Sequence, residues 1–356
     1  MRRKTRFVCV SDTHGYTPSE AGFKLPAGDV LIHAGDLTNK GTMSELRRTM
    51  DWISKADFEI KLIVAGNHDI TLDSEFYAQH GQGFHGDQLE DPRKCTEFIT
   101  RSTPSVVLLQ HQAAVIRLDR ADGPKTSFKV FGSPYCQFQG KWAFGYESSK
   151  AKALWDPIPL DTDIIVTHTP PRSHCDQKPN GTFVGCDALR QALSRVRPPL
   201  AVCGHVHEGR GYERIRWQPA LIKIGLDADG VDFVTRGVLP PSGSKKQSLV
   251  DLTGRREARL DSEGFSCSAP ASSSPMLPSG VSAVSGQGFA PSLSAADTHG
   301  LDHALRMLRK ETCIVNAAIV ATSWPHRGGK RFHAPIVVDL ELPVWQDTAA
   351  ADSQCI

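Results

Sequence analysis

Five short apolar runs in this chain each end in a cluster whose functional side chains are Asp, His or Asn, and this recurrence constrains the fold more than any other feature. Phe7 to Val10 runs into Ser11-Asp12-Thr13-His14-Gly15, Val30 to His33 into Gly35-Asp36, and Ile60 to Ala65 into Gly66-Asn67-His68-Asp69. Further on, Ile164 to Thr167 leads into His168, and Leu200 to Cys203 into Gly204-His205-Val206-His207. Short runs rich in β-branched residues read as buried strands, and the segments between them carry helical periodicity, so the class is α/β. In such sheets the binding crevice lies beyond the carboxyl ends of the strands, where all five clusters fall.

The clearest helix is Thr42 to Ala56, with Met43, Leu46, Met50 and Ile53 spaced by three and four. Glu147 to Leu154 and Asp187 to Val196 read the same way. Ser105 to Leu109, Ala113 to Leu118 and Phe128 to Phe131 lie close together and are expected to be antiparallel strands. The texture changes near Pro240. Lys245-Lys246 and Arg255-Arg256 lead into a serine-dominated tract from Ser262 to about Ala295, which has too few bulky apolar residues to offset the entropy of ordering. Residues 240–300 are therefore expected to be a disordered Ser/Pro/Gly-rich insert, more a spacer than a phosphorylated regulatory segment. After it, Leu301 to Lys310 reads as a helix, and Cys313 to Ala321 and Ile336 to Leu340 regain strand character. The expected organisation is one domain over 1–239, the insert, a return over 301–343, and a tail over 344–356.

Within the clusters, Asp12 and His14 lie two residues apart on a turn and can reach one metal ion together. Asp36 has two carboxylate oxygens and can bridge two ions. Asn67 offers an oxygen without a charge, so two carboxylates against two divalent cations leave an excess of two positive charges for an incoming phosphate. His205 and His207 alternate on an extended segment, so each can serve a different ion, and His168 completes the set. Mixed nitrogen and oxygen ligands suit Mn, Fe or Zn better than Mg or Ca. Asp297-Thr298-His299-Gly300 repeats the first cluster's residues but follows a Ser/Ala-rich stretch, and is not expected to bind the functional metal.

The order Asp-x-His, Gly-Asp, Gly-Asn-His-Asp, a later His and Gly-His-x-His resembles the calcineurin-like metallophosphoesterase superfamily. His33-Ala34-Gly35-Asp36-Leu37-Thr38, Gly132-Ser133-Pro134, Trp142-Ala143-Phe144, His168-Thr169-Pro170-Pro171, Gly204 to Gly209 and Asn316-Ala317-Ala318 resemble its metallophosphoesterase-domain-containing, brain-protein-like branch. The resemblance covers about 6–212 and 312–343. It implies a four-layer sandwich of two mixed β-sheets flanked by helices. It also implies one ion held by Asp12, His14, Asp36 and His207, and another by Asp36, Asn67, His168 and His205. The implied reaction is attack of a dinuclear-metal-bound hydroxide on phosphorus, with His68 as the general acid at the leaving oxygen. Small phosphodiesters, including cyclic nucleotides, are the implied substrates.

Two rival readings share the fold. Protein Ser/Thr phosphatases continue Gly-Asp-x-Val-Asp-Arg-Gly and close the third motif with Glu; this chain has Gly35-Asp36-Leu37-Thr38-Asn39-Lys40-Gly41 and Asp69. The phosphate-clamping Arg is absent, and Asn39 stands where an Asp would orient the acid. The other rival is a weakly active binding or scaffolding protein, against which His205 and His207 are both intact. His33, His111 and His174 lack partners in sequence and read as structural, as do Trp142 and Phe144; Arg172 and Arg210 read as surface groups.

Bulk properties exclude other classes. A formal charge of +2 over 356 residues, with scattered basic groups, gives no nucleic-acid or membrane-surface footprint. Partners are expected to be small molecules. Nine cysteines without a C-x-x-C pair read as buried reduced thiols. The basic start Met1-Arg2-Arg3-Lys4 precedes too short an apolar run for a signal sequence, and no segment approaches the ~20 residues of a membrane span. A cytoplasmic protein is the expectation.

Overall fold

The computed structural model describes residues 1–137, 140–218, 230–241, 244, 246–262, 281–284, 309–322 and 329–345, the stretch 281–284 for its backbone alone. The chain opens with β1 (Arg2–Val10), β2 (Val30–Ala34), β3 (Ile60–Val64) and β4 (Val106–Leu108). Then come β5 (Gln112–Arg117), β6 (Ser127–Ser133) and a two-residue pair, β7 (Cys136–Gln137) and β8 (Gly145–Tyr146). β9 (Ile164–Thr167), β10 (Leu200–Cys203), β11 (Gly211–Trp217) and β12 (Val231–Arg236) follow. β13 (Ser248–Asp251), β14 (Val281–Val284), β15 (Glu311–Asn316) and β16 (Ile336–Pro343) complete the set.

Two mixed sheets result. The first has the order β13-β16-β1-β2-β3-β4, the second β12-β11-β15-β10-β9-β6-β5-β14. Because side chains alternate along a strand, each strand serves two layers. On β1, Phe7 and Cys9 face the second sheet, meeting Phe128, Val130, Ile164, Val166, Val202 and Val315. Val8 and Val10 face outward, against Leu46, Met50 and Ile53 of the helix Met43–Lys55 and Ile99 of the helix Pro92–Thr100. The outer face of the second sheet is covered by the helices Ala151–Trp155 and Asp187–Val196 through Trp155, Leu189 and Leu193. The expected four-layer sandwich is the observed one.

The helix expected over Thr42 to Ala56 forms, with Thr42 and Glu45 closing a capping box at its start. Asp187–Val196 matches its expectation residue for residue. Glu147 to Leu154 divides instead into a 3-10 turn at Ser148–Lys150 and a short helix from Ala151, because Glu147 is extended. The helices Ser74–His85 and Pro92–Thr100, capped by Asp73 and Asp91, were not marked by the sequence pattern; Gly81 and Gly83 weaken the apolar signal of the first.

Two expectations are corrected. Of the three strands expected to be antiparallel, only β5 and β6 are; β4 runs parallel to β3 in the first sheet. The connection through Gln110 and His111, the latter at φ 58°, crosses between sheets, and so short a link reads like a hairpin. The stretch 240–300 also contains sheet. Ser248–Asp251 pairs parallel to β16, with Val250 and Leu252 in the inter-sheet core, and Val281–Val284 pairs antiparallel to β5. The rest of the serine-rich tract, the Asp297 to Gly300 repeat and most of the Leu301 to Lys310 helix lie outside the described residues. The chain re-enters at Arg309, fully buried and paired with Asp163 at 2.8 Å. Seven cysteines, including Cys9 and Cys203, are buried free thiols. Among the described residues no helix is long and apolar enough to cross a membrane.

Candidate metal centre

All five clusters meet along one edge of the sandwich, and the backbone there is unusual. Asp12 (φ 55°), His14 (φ 46°), Asp36 (φ 54°) and His205 (φ 64°) occupy the left-handed region, which costs on the order of 1–3 kcal/mol for a non-glycine residue and persists only where surroundings enforce it. Here hydrogen bonds between the loops enforce it. Asp12 N donates to Gly35 O (2.9 Å), His14 N to Asp36 O (3.0 Å), and His205 N to the Asp12 carboxylate (3.0 and 3.1 Å). His68 N donates to Asp36 Oδ1 at 2.9 Å. The glycines are required by closeness: a Cβ on Gly66 would strike Asp36 and come within 2.7 Å of His168 Cε1, and one on Gly204 would strike Ser11 and Asp12.

The side chains converge in two groups. In one, His14 Nε2 and His207 Nε2 are 3.3 Å apart and His207 Nε2 is 3.4 Å from Asp12 Oδ1. In the other, Asn67 Oδ1 is 2.8 Å from His205 Nδ1 and 3.0 Å from His168 Nε2. Asp36 faces both groups, Oδ1 at 3.4 Å from His168 Nε2 and Oδ2 at 3.8 Å from His14 Nε2. Atoms sharing one ion at about 2.0–2.2 Å stand about 3.0–3.5 Å apart, so these spacings fit divalent cations. Two of the outer nitrogens are tied back, as is common for metal-bound imidazoles: His168 Nδ1 to Ala34 O (2.9 Å) and His207 Nδ1 to Thr322 O (3.3 Å), whereas His14 Nδ1 is buried without a hydrogen bond.

The sequence pattern of the calcineurin-like phosphoesterase family matches residues 5–209, more than half of the chain. The chain belongs to that family. Metallophosphoesterase domain-containing protein 1 of Homo sapiens is 36% identical over 213 residues, 58% of this chain and 62% of that protein. "Probable rhamnogalacturonate lyase C" of Emericella nidulans is 39% identical over 224 residues, 61% of this chain but 19% of that protein. The chain thus spans less than two thirds of either relative. Among solved structures, TT1561 of Thermus thermophilus aligns over 59% of this chain and 84% of its own, at 16% identity and a TM-score of 0.35.

In this calcineurin-like centre, charge is balanced between the sheets. Burial raises the Asp12 carboxyl, but the His207 hydrogen bond and charge outweigh it and bring it down to about 2. Asp36, opposed in the same way by burial, is held well below the usual range by His168 and His68. Burial acts to lower His168, yet Asp36 prevails and takes it up to about 9. His207 is likewise raised, by Asp12 against burial. Burial leaves His14 and His205 neutral, each brought down to about 3. The raised imidazoles of His168 and His207 thus stand opposite the lowered carboxyls of Asp12 and Asp36.

His68 lies at the rim beside His14, its ring centroid 4.7 Å away, and its Nδ1 is 2.8 Å from the backbone oxygen of Asn39. Trp142 covers its face at 4.0 Å and 33°. This support was not legible in the sequence, which places Trp142 far away and suggests the Asn39 side chain rather than its carbonyl. Asp69 is a second such residue. Fully buried, it accepts from Leu37 N, Thr38 N, Thr38 Oγ1 and Gly66 N, locking the Gly-Asp loop to the Gly-Asn-His loop. His33, His174 and His111 bond to Thr13, Glu213 and Ser133, in keeping with structural roles. Phe144 is buried; Arg172 lies 3.7 Å from Asp187, and Arg210 donates to Ala334 O.

Proposed function

We propose that this chain is a metal-dependent phosphoesterase acting on small phosphodiesters, cyclic nucleotides among them. The observation that carries the reading is Asp36, whose two oxygens face two separate ligand groups. Asp12, His14 and His207 would hold one ion with Asp36, and Asn67, His168 and His205 the other. Mn, Fe or Zn suits this donor set. Two such ions would supply activation of water near neutral pH and positive charge for the phosphoryl oxygens.

The chain's own residues supply the rest. Asn67 coordinates without adding negative charge, leaving the centre attractive to an anion. His68, with Nδ1 on the Asn39 carbonyl, presents Nε2 to the leaving oxygen as general acid, and Trp142 keeps the ring from swinging away. A cytoplasmic location accompanies this reading, and cell fractionation checks it.

The test is elemental analysis of the purified full chain together with a panel of phosphomonoesters, phosphodiesters and phosphoproteins. Two transition-metal ions per chain and diester hydrolysis abolished by His205→Ala are expected. Unchanged hydrolysis in that variant overturns the assignment, and phosphate release chiefly from phosphoproteins replaces it with the protein phosphatase reading.

A further inference from the structure

The segment that follows the insert reaches the metal centre, although it lies beyond the stretch matching the family pattern. Asn316 ends β15 with its side chain fully buried. Its Nδ2 donates to Val206 O (2.8 Å), to Cys175 O (2.9 Å) and, more weakly, to Gly204 O (3.4 Å). Its Oδ1 accepts from Ala318 N at 3.1 Å. Gly204 and Val206 flank His205, the one candidate ligand of the second sheet in the left-handed conformation. One amide therefore grips the chain on both sides of a strained ligand.

The neighbouring backbone extends the grip. Ala317 N donates to Cys203 O (2.8 Å) and Ile319 N to Ser11 O (2.9 Å), so the segment is stitched to the loops bearing His205 and Asp12. Thr322 O is the acceptor that turns His207 Nε2 toward Asp12. A buried amide with both its donor and its acceptor used is a rigid fixture, because releasing any partner leaves an unsatisfied polar group.

We propose that residues 316–322 are a positioning element of the metal centre, with Asn316 as its principal positioning residue, setting the affinity of the ion held through His205. The proposal rests on the metal-site part of the function given above and not on which substrate is hydrolysed. Outer groups of this kind alter metal affinity by roughly 10–100-fold. Asn316→Asp keeps the shape but turns the donor into an acceptor facing three carbonyls, so it is expected to do more harm than Asn316→Ala.

The experiment is a manganese titration by calorimetry of the metal-free full chain, with Tm read in parallel. One of two binding steps is expected to weaken by roughly 10–100-fold in N316A and further in N316D, the other changing less. T312V is the control: Thr312, on the same strand, is likewise buried, but its side chain accepts from Trp217 Nε1 at 2.8 Å and it pairs with Ile215, both on β11. It is expected to lower Tm without changing either step. Manganese binding as in wild type for N316A, or equal weakening in T312V, overturns the proposal. Should the Asn316 variants fail to fold, hydrogen exchange of the wild-type chain decides: residues 316–322 are expected to slow together with 204–207 on metal loading, and no change there overturns it. Tight manganese binding without phosphoester hydrolysis sinks the proposed function and leaves this inference standing.

Discussion

The first sheet brings Asp12, Asp36 and Asn67 to the centre, with His14, on turns that follow parallel strands. The second brings imidazoles alone: His168, His205 and His207. Negative charge thus comes from one wall and neutral or protonatable nitrogen from the other. Carboxylates gathered on one wall would repel, and they face His168 and His207 across the gap, the two imidazoles whose proton affinity the carboxylates raise. The packing between sheets then sets the spacing of the ligand groups, and glycines at 35, 66 and 204 let the walls approach.

Removing charge from the first wall should cost most. Asp36→Asn preserves shape but takes the bridging charge, and diester turnover is expected to fall roughly a thousandfold or more, the upper range for loss of a principal electrostatic group. His168→Ala, on the second wall, should weaken one ion while leaving the other bound, read by metal stoichiometry. Equal loss of both ions in His168→Ala would break the assignment of His168 to one ion, whereas Asp36→Asn, which touches both ligand groups, is expected to weaken both. His68→Gln comes next: turnover with a poor leaving group is expected to drop roughly a hundredfold, and much less with an activated aryl leaving group that needs no proton. An equal drop for both substrates would remove His68 from the role of acid.

The first wall was the more legible in sequence. Its candidate ligands stand just after strands β1, β2 and β3, whose runs are plainly apolar, so motif and strand end coincide. The second wall reads almost as well for His168, His205 and His207. What holds either wall was not readable. Asp69 looks like the end of a turn but accepts four hydrogen bonds, and Asn316 is separated from His205 by the whole insert. β13 was hidden because Ser248–Asp251 is short and sits between basic pairs; only contact with β16 makes it a strand. Side-chain chemistry shows in a sequence, whereas backbone carbonyls such as those of Asn39, Ala34 and Thr322 carry no residue signature.

The walls also differ in their response to pH. The folded-state value of His168 is raised to about 9 from an ordinary value near 6.5, so its pairing with Asp36 contributes fully below that ordinary value and is lost as pH rises through about 9. A metal ion must displace that proton. Affinity is therefore expected to rise by about tenfold per pH unit between about 7 and 9 for the one proton on His168, with His207 adding to it. Calorimetry in buffers of different ionisation enthalpy measures the release directly. A binding enthalpy independent of buffer would mean that the second wall is not protonated and that the charge balance drawn between the sheets is wrong.

The smallest expected effect is at Asn39. Calcineurin-like protein phosphatases resemble this chain up to Gly35-Asp36, where an Asp in the Asn39 position would make its side chain the support for the acid. In this chain His68 Nδ1 meets the main-chain oxygen of Asn39 instead, at 2.8 Å. That oxygen is itself fixed, because Glu45 accepts from Asn39 N (3.0 Å) and Lys40 N (3.2 Å), while His85 Nε2 bonds Lys40 O at 2.8 Å. Asn39→Ala keeps the carbonyl and every one of these bonds. Its turnover is expected to stay within about twofold of wild type, since exposed substitutions away from a buried feature move energies by only about 0.5 kcal/mol. Glu45→Gln, which weakens the hold on the loop without touching His68, should cost more than Asn39→Ala. If Asn39→Ala instead loses tenfold or more, the side chain carries the acid's support after all, and the first wall works like that of the protein phosphatases.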